Sequence, residues 1–235
     1  MTLTFLIKII RREVALQPLY VKQKIMIEFL LNAYKNASTI QIVLEFIAFV
    51  FGILSVWFAK KENIWVYPTG LIATMITTYL LYIAGYLGDM MINGYFSIMS
   101  IYGWYKWARK GNENEVIAIS RANSKEKIIG FVLFLVTVFV VFGIYNFFDY
   151  EIKTANYIDI FASGIFFTGM WYMANKKIEN WTLWIFGDII VTPLYAYRGL
   201  GMLSLQYLIF TILAISAYLE WKKILNSSQN LEVQK

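Results

Sequence analysis

Within residues 180–198, NWTLWIFGDIIVTPLYAYR, a carboxylate lies inside an otherwise apolar stretch with two tryptophans upstream of it. At 3.6 residues per turn, Trp181, Trp184, Asp188, Thr192 and Tyr195 recur at separations of three, four and seven, so a helix stacks them along one stripe. Indole faces attract a cation by about 0.5–2 kcal/mol each, more where water is excluded. A carboxylate in hydrocarbon costs about 3 kcal/mol unless it has a cavity, a partner or a cationic ligand. Asp188 stands about 10 Å along the helix from Trp181 and needs one of the three. Asn93 and Gln206, in two other apolar stretches, offer donors and acceptors together and complete the candidate binding set.

Each of these residues also has a purely structural reading. A tryptophan opening a membrane span is commonly a belt residue at the headgroups, which applies most to Trp181. Asp188 could pair with Arg198 or a neighbouring tyrosine, and the two amides could be interhelical glue worth about 1 kcal/mol. Glu45 is expected to reach the interface and Asp89 to be a solvated loop charge. Tyr102, Trp104, Tyr105 and Trp107 read as anchoring and packing residues, and Pro193 and Pro68 as bends in their helices.

The composition states what kind of element must hold this stripe. Of 235 residues 59% are hydrophobic and only 15% charged, with mean hydropathy +0.57; a soluble domain has about a quarter charged. A polytopic membrane protein in a lipid bilayer is implied. The sequence holds no cysteine and no histidine, so disulfides, thiol nucleophiles, imidazole bases and the usual zinc ligands are absent. No metal site and no cofactor is expected. Asp188 has no second carboxylate at i+3 or i+4, which disfavours an enzyme, and no Walker motif supports ATP-driven transport by this chain. The net charge of +6 is scattered between apolar runs, which points to an anionic leaflet and not to nucleic acid.

Residues 1–39 mix apolar residues with Lys8, Arg11, Arg12, Lys22, Lys24 and Lys35, and read as an N-terminal amphipathic arm lying at the interface. Seven apolar stretches follow, at about 40–59, 64–84, 92–108, 128–148, 157–175, 181–197 and 202–221. Each is near the length of a spanning helix, and none alternates as a barrel strand would. Basic residues concentrate after the first, third, fifth and seventh stretches, so the positive-inside rule puts the C-terminus in the cytoplasm and the N-terminus outside.

The chain also repeats itself. AKKENIWVYPTG at 59–70 opens the second span as NKKIENWTLWIFG at 175–187 opens the sixth, and YGWYKWARK at 102–110 ends the third as AYLEWKK at 217–223 ends the seventh. Matching Asn63–Gly70 to Asn180–Gly187 gives two three-helix units, residues 40–110 and 157–223, joined by a loop and linker helix over 111–156 and followed by a tail, 224–235. The linker restores the orientation of the second unit, so the fold class is all-α integral membrane with 3+1+3 parallel repeats. Substrate sites in such carriers lie near the midplane between the units.

The motif WxxW followed by an acid, here Trp181, Trp184 and Asp188, together with SIYGWYKW at 100–107, resembles the bacterial nicotinamide riboside transporters of the PnuC type over roughly residues 40–223. That family shares the 3+1+3 fold of the SWEET sugar transporters. The resemblance implies inner-membrane import of nicotinamide riboside by facilitated diffusion with alternating access, trapping by a cytoplasmic nicotinamide riboside kinase, and a homotrimer. The substrate is a flat pyridinium cation on a polar sugar, to which an aromatic pair, an acid and two amides are matched. A thiamine or riboflavin carrier and a SWEET-like sugar carrier are the alternatives; a neutral sugar would gain nothing from Asp188.

Overall fold

The computed structural model describes residues 21, 24, 26–28, 30, 37–83, 87–109, 117–147, 152, 154–198 and 200–233. The amphipathic arm expected over 1–39 lies for the most part outside them; Val21, Lys24, Met26, Ile27, Glu28 and Leu30 are helical. From Thr39 onward the described residues form seven helices: α1 (Thr39–Lys60), α2 (Val66–Ile83), α3 (Leu87–Ala108), α4 (Ser124–Phe147), α5 (Thr154–Ala174), α6 (Glu179–Tyr197) and α7 (Gly201–Val233). Two starts are built by reciprocal capping boxes, which satisfy backbone N–H groups that a helix leaves orphaned. Ser38 Oγ accepts from the Gln41 N–H at 3.3 Å while Gln41 accepts from the Ser38 N–H at 2.9 Å; Asn123 and Glu126 do the same for α4 at 2.9 and 2.8 Å.

Two helix ends differ from the expected ones. Position 89 is expected in a loop, but α3 begins at Leu87 and includes it. Helix α7 runs on to Val233, well past 221.

Helices α1, α2 and α3 pack in succession, as do α5, α6 and α7; α7 also lies on α1, and α3 on α5. Helix α4 leans mainly on α5 and touches α3 lightly. Four of the helices, α1, α2, α4 and α7, are long and apolar enough to cross a bilayer. Their outward side chains, such as Phe46, Met75, Phe131 and Phe139, are exposed, as suits helices that face lipid. The remaining three carry the polar and small residues and use them inside the protein. Helix α5 buries Asp159, Ser163, Gly164, Thr168 and Gly169, which is why its apolar run is diluted.

One end of the bundle is closed by a doubled aromatic contact. Tyr67 of α2 meets Trp107 of α3 edge to face at 5.1 Å and 87°, and Trp181 of α6 meets Trp221 of α7 at 5.4 Å and 88°. Tyr67, Trp181 and Trp221 are 1%, 2% and 0% exposed. The first contact requires Gly103, since a Cβ there would lie 2.2 Å from the Tyr67 ring; Ala217 precedes Trp221 by one turn as Gly103 precedes Trp107.

Charged side chains cover this layer. Glu62 and Lys176, each with left-handed φ (53° and 49°) just past the ends of α1 and α5, form an ion pair at 3.1 Å. The Lys176 ammonium also sits 4.6 Å from the Trp107 ring, a favourable cation–π distance. Lys60 and Lys61 reach Glu220 at 3.3 and 2.8 Å, and Lys106 bonds Asn175. The segment before α4 is tied to the α5–α6 turn by Ser120 backbone bonds and by the Glu179 carboxylate, which accepts from the Ala122 N–H at 3.0 Å.

Candidate functional site

Above the aromatic layer the helices part around a cavity of about 730 Å³, walled by α1, α2, α3, α6 and α7 with Met170 and Met173 of α5. Its lining runs from Trp181 and Tyr67 to Glu45, Leu81 and Arg198, so it reaches the end opposite the lysine cluster. A helix facing it must turn one stripe inward. On α6 that stripe is Trp181, Trp184, Asp188 and Tyr195, and all four line the cavity. Asn93 of α3 and Gln206 of α7 line it as well.

Thr192 does not line it. Its hydroxyl donates to the Asp188 carbonyl at 2.7 Å and its own carbonyl accepts from Ser204 Oγ at 2.8 Å. Such back-bonding to the preceding turn takes the short side chain out of play.

Trp184 is held from behind. Its ring stacks on Phe166 at 5.3 Å and tilts against Phe96 at 5.9 Å. Gly169 of α5 lies beside it, a Cβ there being 3.6 Å from Trp184 Nε1, an ordinary van der Waals distance. Gly187 in turn makes space for Phe166, whose ring would lie 2.4 Å from a Cβ there. The packing fixes the indole plane before any ligand arrives.

Asp188 is 1% exposed, and one of its carboxylate oxygens is buried with no hydrogen-bond partner. The indole N–H groups of Trp181 and Trp184 are buried and unpartnered too. Unmade hydrogen bonds of this kind cost about 1–3 kcal/mol apiece; Tyr67 Oη, Trp107 Nε1 and Asn180 Oδ1 share the condition, the last two away from the cavity lining. The structural pairing of Asp188 with Arg198 does not form, because Arg198 bonds Asp159 of α5 instead. Nor is Trp181 a belt residue, since Trp221 covers it.

Several lining residues were outside the sequence-derived set. Phe96 lies three residues past Asn93 and Phe210 four past Gln206, so helical spacing alone pointed to both. Tyr207 lines the cavity and stacks on Tyr195 at 5.1 Å. Glu45, read as interfacial, also lines the cavity, and so does Gln41 one turn before it. Gly52 faces Gln206 and Phe210, a Cβ there being 3.2 Å from each. Gly70 faces Ser55, with 2.9 Å to Oγ.

The contacts also correct the register of the internal match. Tyr67 does what Trp181 does, not what Trp184 does, so the two segments are offset by about one helical turn from the sequence match of Asn63–Gly70 with Asn180–Gly187. In the contact register Gly70 stands where Trp184 stands, and Thr74 where Asp188 stands. The slip is invisible locally because a shift of one turn keeps the same face inward.

Residues 42–223 match the family model described as nicotinamide mononucleotide transporter. The nicotinamide riboside transporter PnuC of Escherichia coli (strain K12) is 24% identical over 201 residues, covering 76% of this chain and 84% of that protein. The Shigella flexneri protein of the same name is equally similar. Among solved structures, the crystal structure of the vitamin B3 transporter PnuC superposes with a TM-score of 0.65 at 22% identity, over 86% of this chain and 90% of that one. The family is one of transporters, not enzymes.

Proposed function

The chain belongs to the nicotinamide mononucleotide transporter family, and from that premise we propose that it imports nicotinamide riboside across the bacterial inner membrane by facilitated diffusion. The observation that carries this reading is Asp188, a buried and incompletely bonded carboxylate at the wall of an aromatic cavity, one turn from Trp184. A permanent pyridinium cation supplies the missing charge, its ring lies on the indole face, and its hydroxyls and carboxamide meet Asn93 and Gln206. A sugar without charge leaves Asp188 uncompensated. The curated relatives bear the name of the riboside.

The finer architecture belongs to the same proposal. All seven helices cross the bilayer, α1–α3 and α5–α7 are parallel repeats with α4 as linker, and a basic amphipathic arm precedes them. The lysine-rich end faces the cytoplasm, with the C-terminus there and the N-terminus outside. The cavity is then closed by the aromatic layer inside and reaches the outside, and alternating access consists of parting the layer while the far end closes. Trimer formation and trapping by a cytoplasmic kinase are carried over from the family resemblance. Facilitated diffusion is tested by uptake of labelled nicotinamide riboside into proteoliposomes without ATP or an ion gradient. The expected result is saturable entry to equal concentration on both sides; no entry, or entry only with a gradient, contradicts the proposal.

A further inference from the structure

Among the described residues that line the large cavity, the charged ones are Glu45, Asp188 and Arg198. A guanidinium there opposes entry of a cation and favours a phosphate. Arg198, from the end of α6, does not stand with its charge uncovered: it bonds the carboxylate of Asp159 on α5. The Asp159 side chain is 6% exposed and that of Arg198 22%. Asp159 lies in a small cavity of about 20 Å³ that shares Asn93, Phe96, Tyr195 and Tyr207 with the large one. The pair therefore crosses the wall between them. Desolvation leaves such a buried pair little net stability, so its chief consequence is the charge that the cavity presents.

We propose that Asp159 is a specificity-determining positioning residue: by holding the Arg198 guanidinium against α5 it offsets the one positive charge of the described lining residues, set beside the carboxylates of Glu45 and Asp188, and so selects the cationic nucleoside over its phosphorylated, anionic form. This rests on the riboside reading above. Asp159 makes no contact with the substrate and acts only through Arg198. The neutral form of the nucleoside, reduced at the pyridine ring, is the control for shape.

The test is calorimetric titration of the full chain in detergent, unmodified and as Asp159→Asn, Arg198→Gln and the double variant, with nicotinamide riboside, its reduced form and the mononucleotide. Asp159→Asn is expected to lower the ratio of oxidised to reduced affinity about tenfold and to strengthen mononucleotide binding, and adding Arg198→Gln to restore the ratio to within about threefold. An unchanged ratio in Asp159→Asn, or a loss that Arg198→Gln does not restore, overturns the inference while leaving the riboside reading intact. No binding of nicotinamide riboside to the unmodified protein overturns that reading and this inference with it. If Asp159→Asn fails to fold, Arg198→Gln alone decides: a several-fold higher ratio supports the role of Asp159, and a lower one contradicts it.

Discussion

Helices α1–α3 and α5–α7 make the same scaffold contacts and line the cavity with opposite materials. Both close one end with an edge-to-face aromatic pair, and Glu62 and Lys176, at matching turns, bond each other. Where the first half has Gly52, Gly70 and Thr74, the second has Phe166, Trp184 and Asp188 in the contact register, and all of these but Phe166 line the cavity. The close approach of α1 and α2 is made by Gly70 against Ser55, and that of α5 and α6 by Gly187 against Phe166. Thr74 accepts from Ser97 Oγ at 2.8 Å, whereas Asp188 keeps an unbonded oxygen. At these three positions the first half is hollow and the second bulky, while both halves hold buried polar atoms without partners, Tyr67 Oη and Trp107 Nε1 in the first. Asn93 of the first half and Trp184, Asp188 and Gln206 of the second all line the cavity.

Making the hollow half resemble the full one should have the largest effect. Gly52→Phe places a ring toward Gln206 and Phe210 and is expected to lower riboside affinity about a hundredfold, at a stability cost of about 1–3 kcal/mol. Calorimetry beside thermal unfolding separates the two effects. Near-normal affinity would remove the cavity from the account. Emptying the bulky half comes next: Trp184→Ala should weaken binding at least about tenfold, as truncation of a buried aromatic in a binding pocket does. The Gly169 face that Trp184 covers would be laid open. Asp188→Asn keeps the shape and removes the charge, so it should cost the cation about tenfold and the reduced, uncharged analogue about twofold or less. Equal losses for both would make the acid merely structural. Thr192→Val is the smallest: the hydroxyl bonds its own helix, and affinity should stay within about twofold.

The stripe was legible because a helix turns every fourth or third residue to one side, and Trp181, Trp184, Asp188 and Tyr195 obey that period within one apolar run. Thr192 obeys it too, but its short hydroxyl has a nearer acceptor in the preceding turn. The seven helices were legible from length and hydropathy. That only α1, α2, α4 and α7 are strongly apolar throughout reflects the burial of α5 and of the acid-bearing α6 inside the bundle. Hydropathy gave no sign of which acid Arg198 would choose: Asp159 is remote in sequence, and only the packing of α5 on α6 brings the two together. Glu45 suffered the same way, since an acid near a span end looks interfacial until the helices around it are arranged. The aromatic contacts pair Tyr67 with Trp181, a turn away from the sequence match, because Asn, Trp and Gly recur in both segments and the contacts depend on the partner helices.

The proposed site comes down to one binding event. Calorimetric titration of the detergent-purified protein with nicotinamide riboside, nicotinamide mononucleotide, thiamine and riboflavin in parallel tests it most directly. Saturable binding of nicotinamide riboside alone is the expected result. Tighter binding of the mononucleotide or of thiamine, or silence toward all four, would contradict the assignment of Trp184 and Asp188 to a riboside cation.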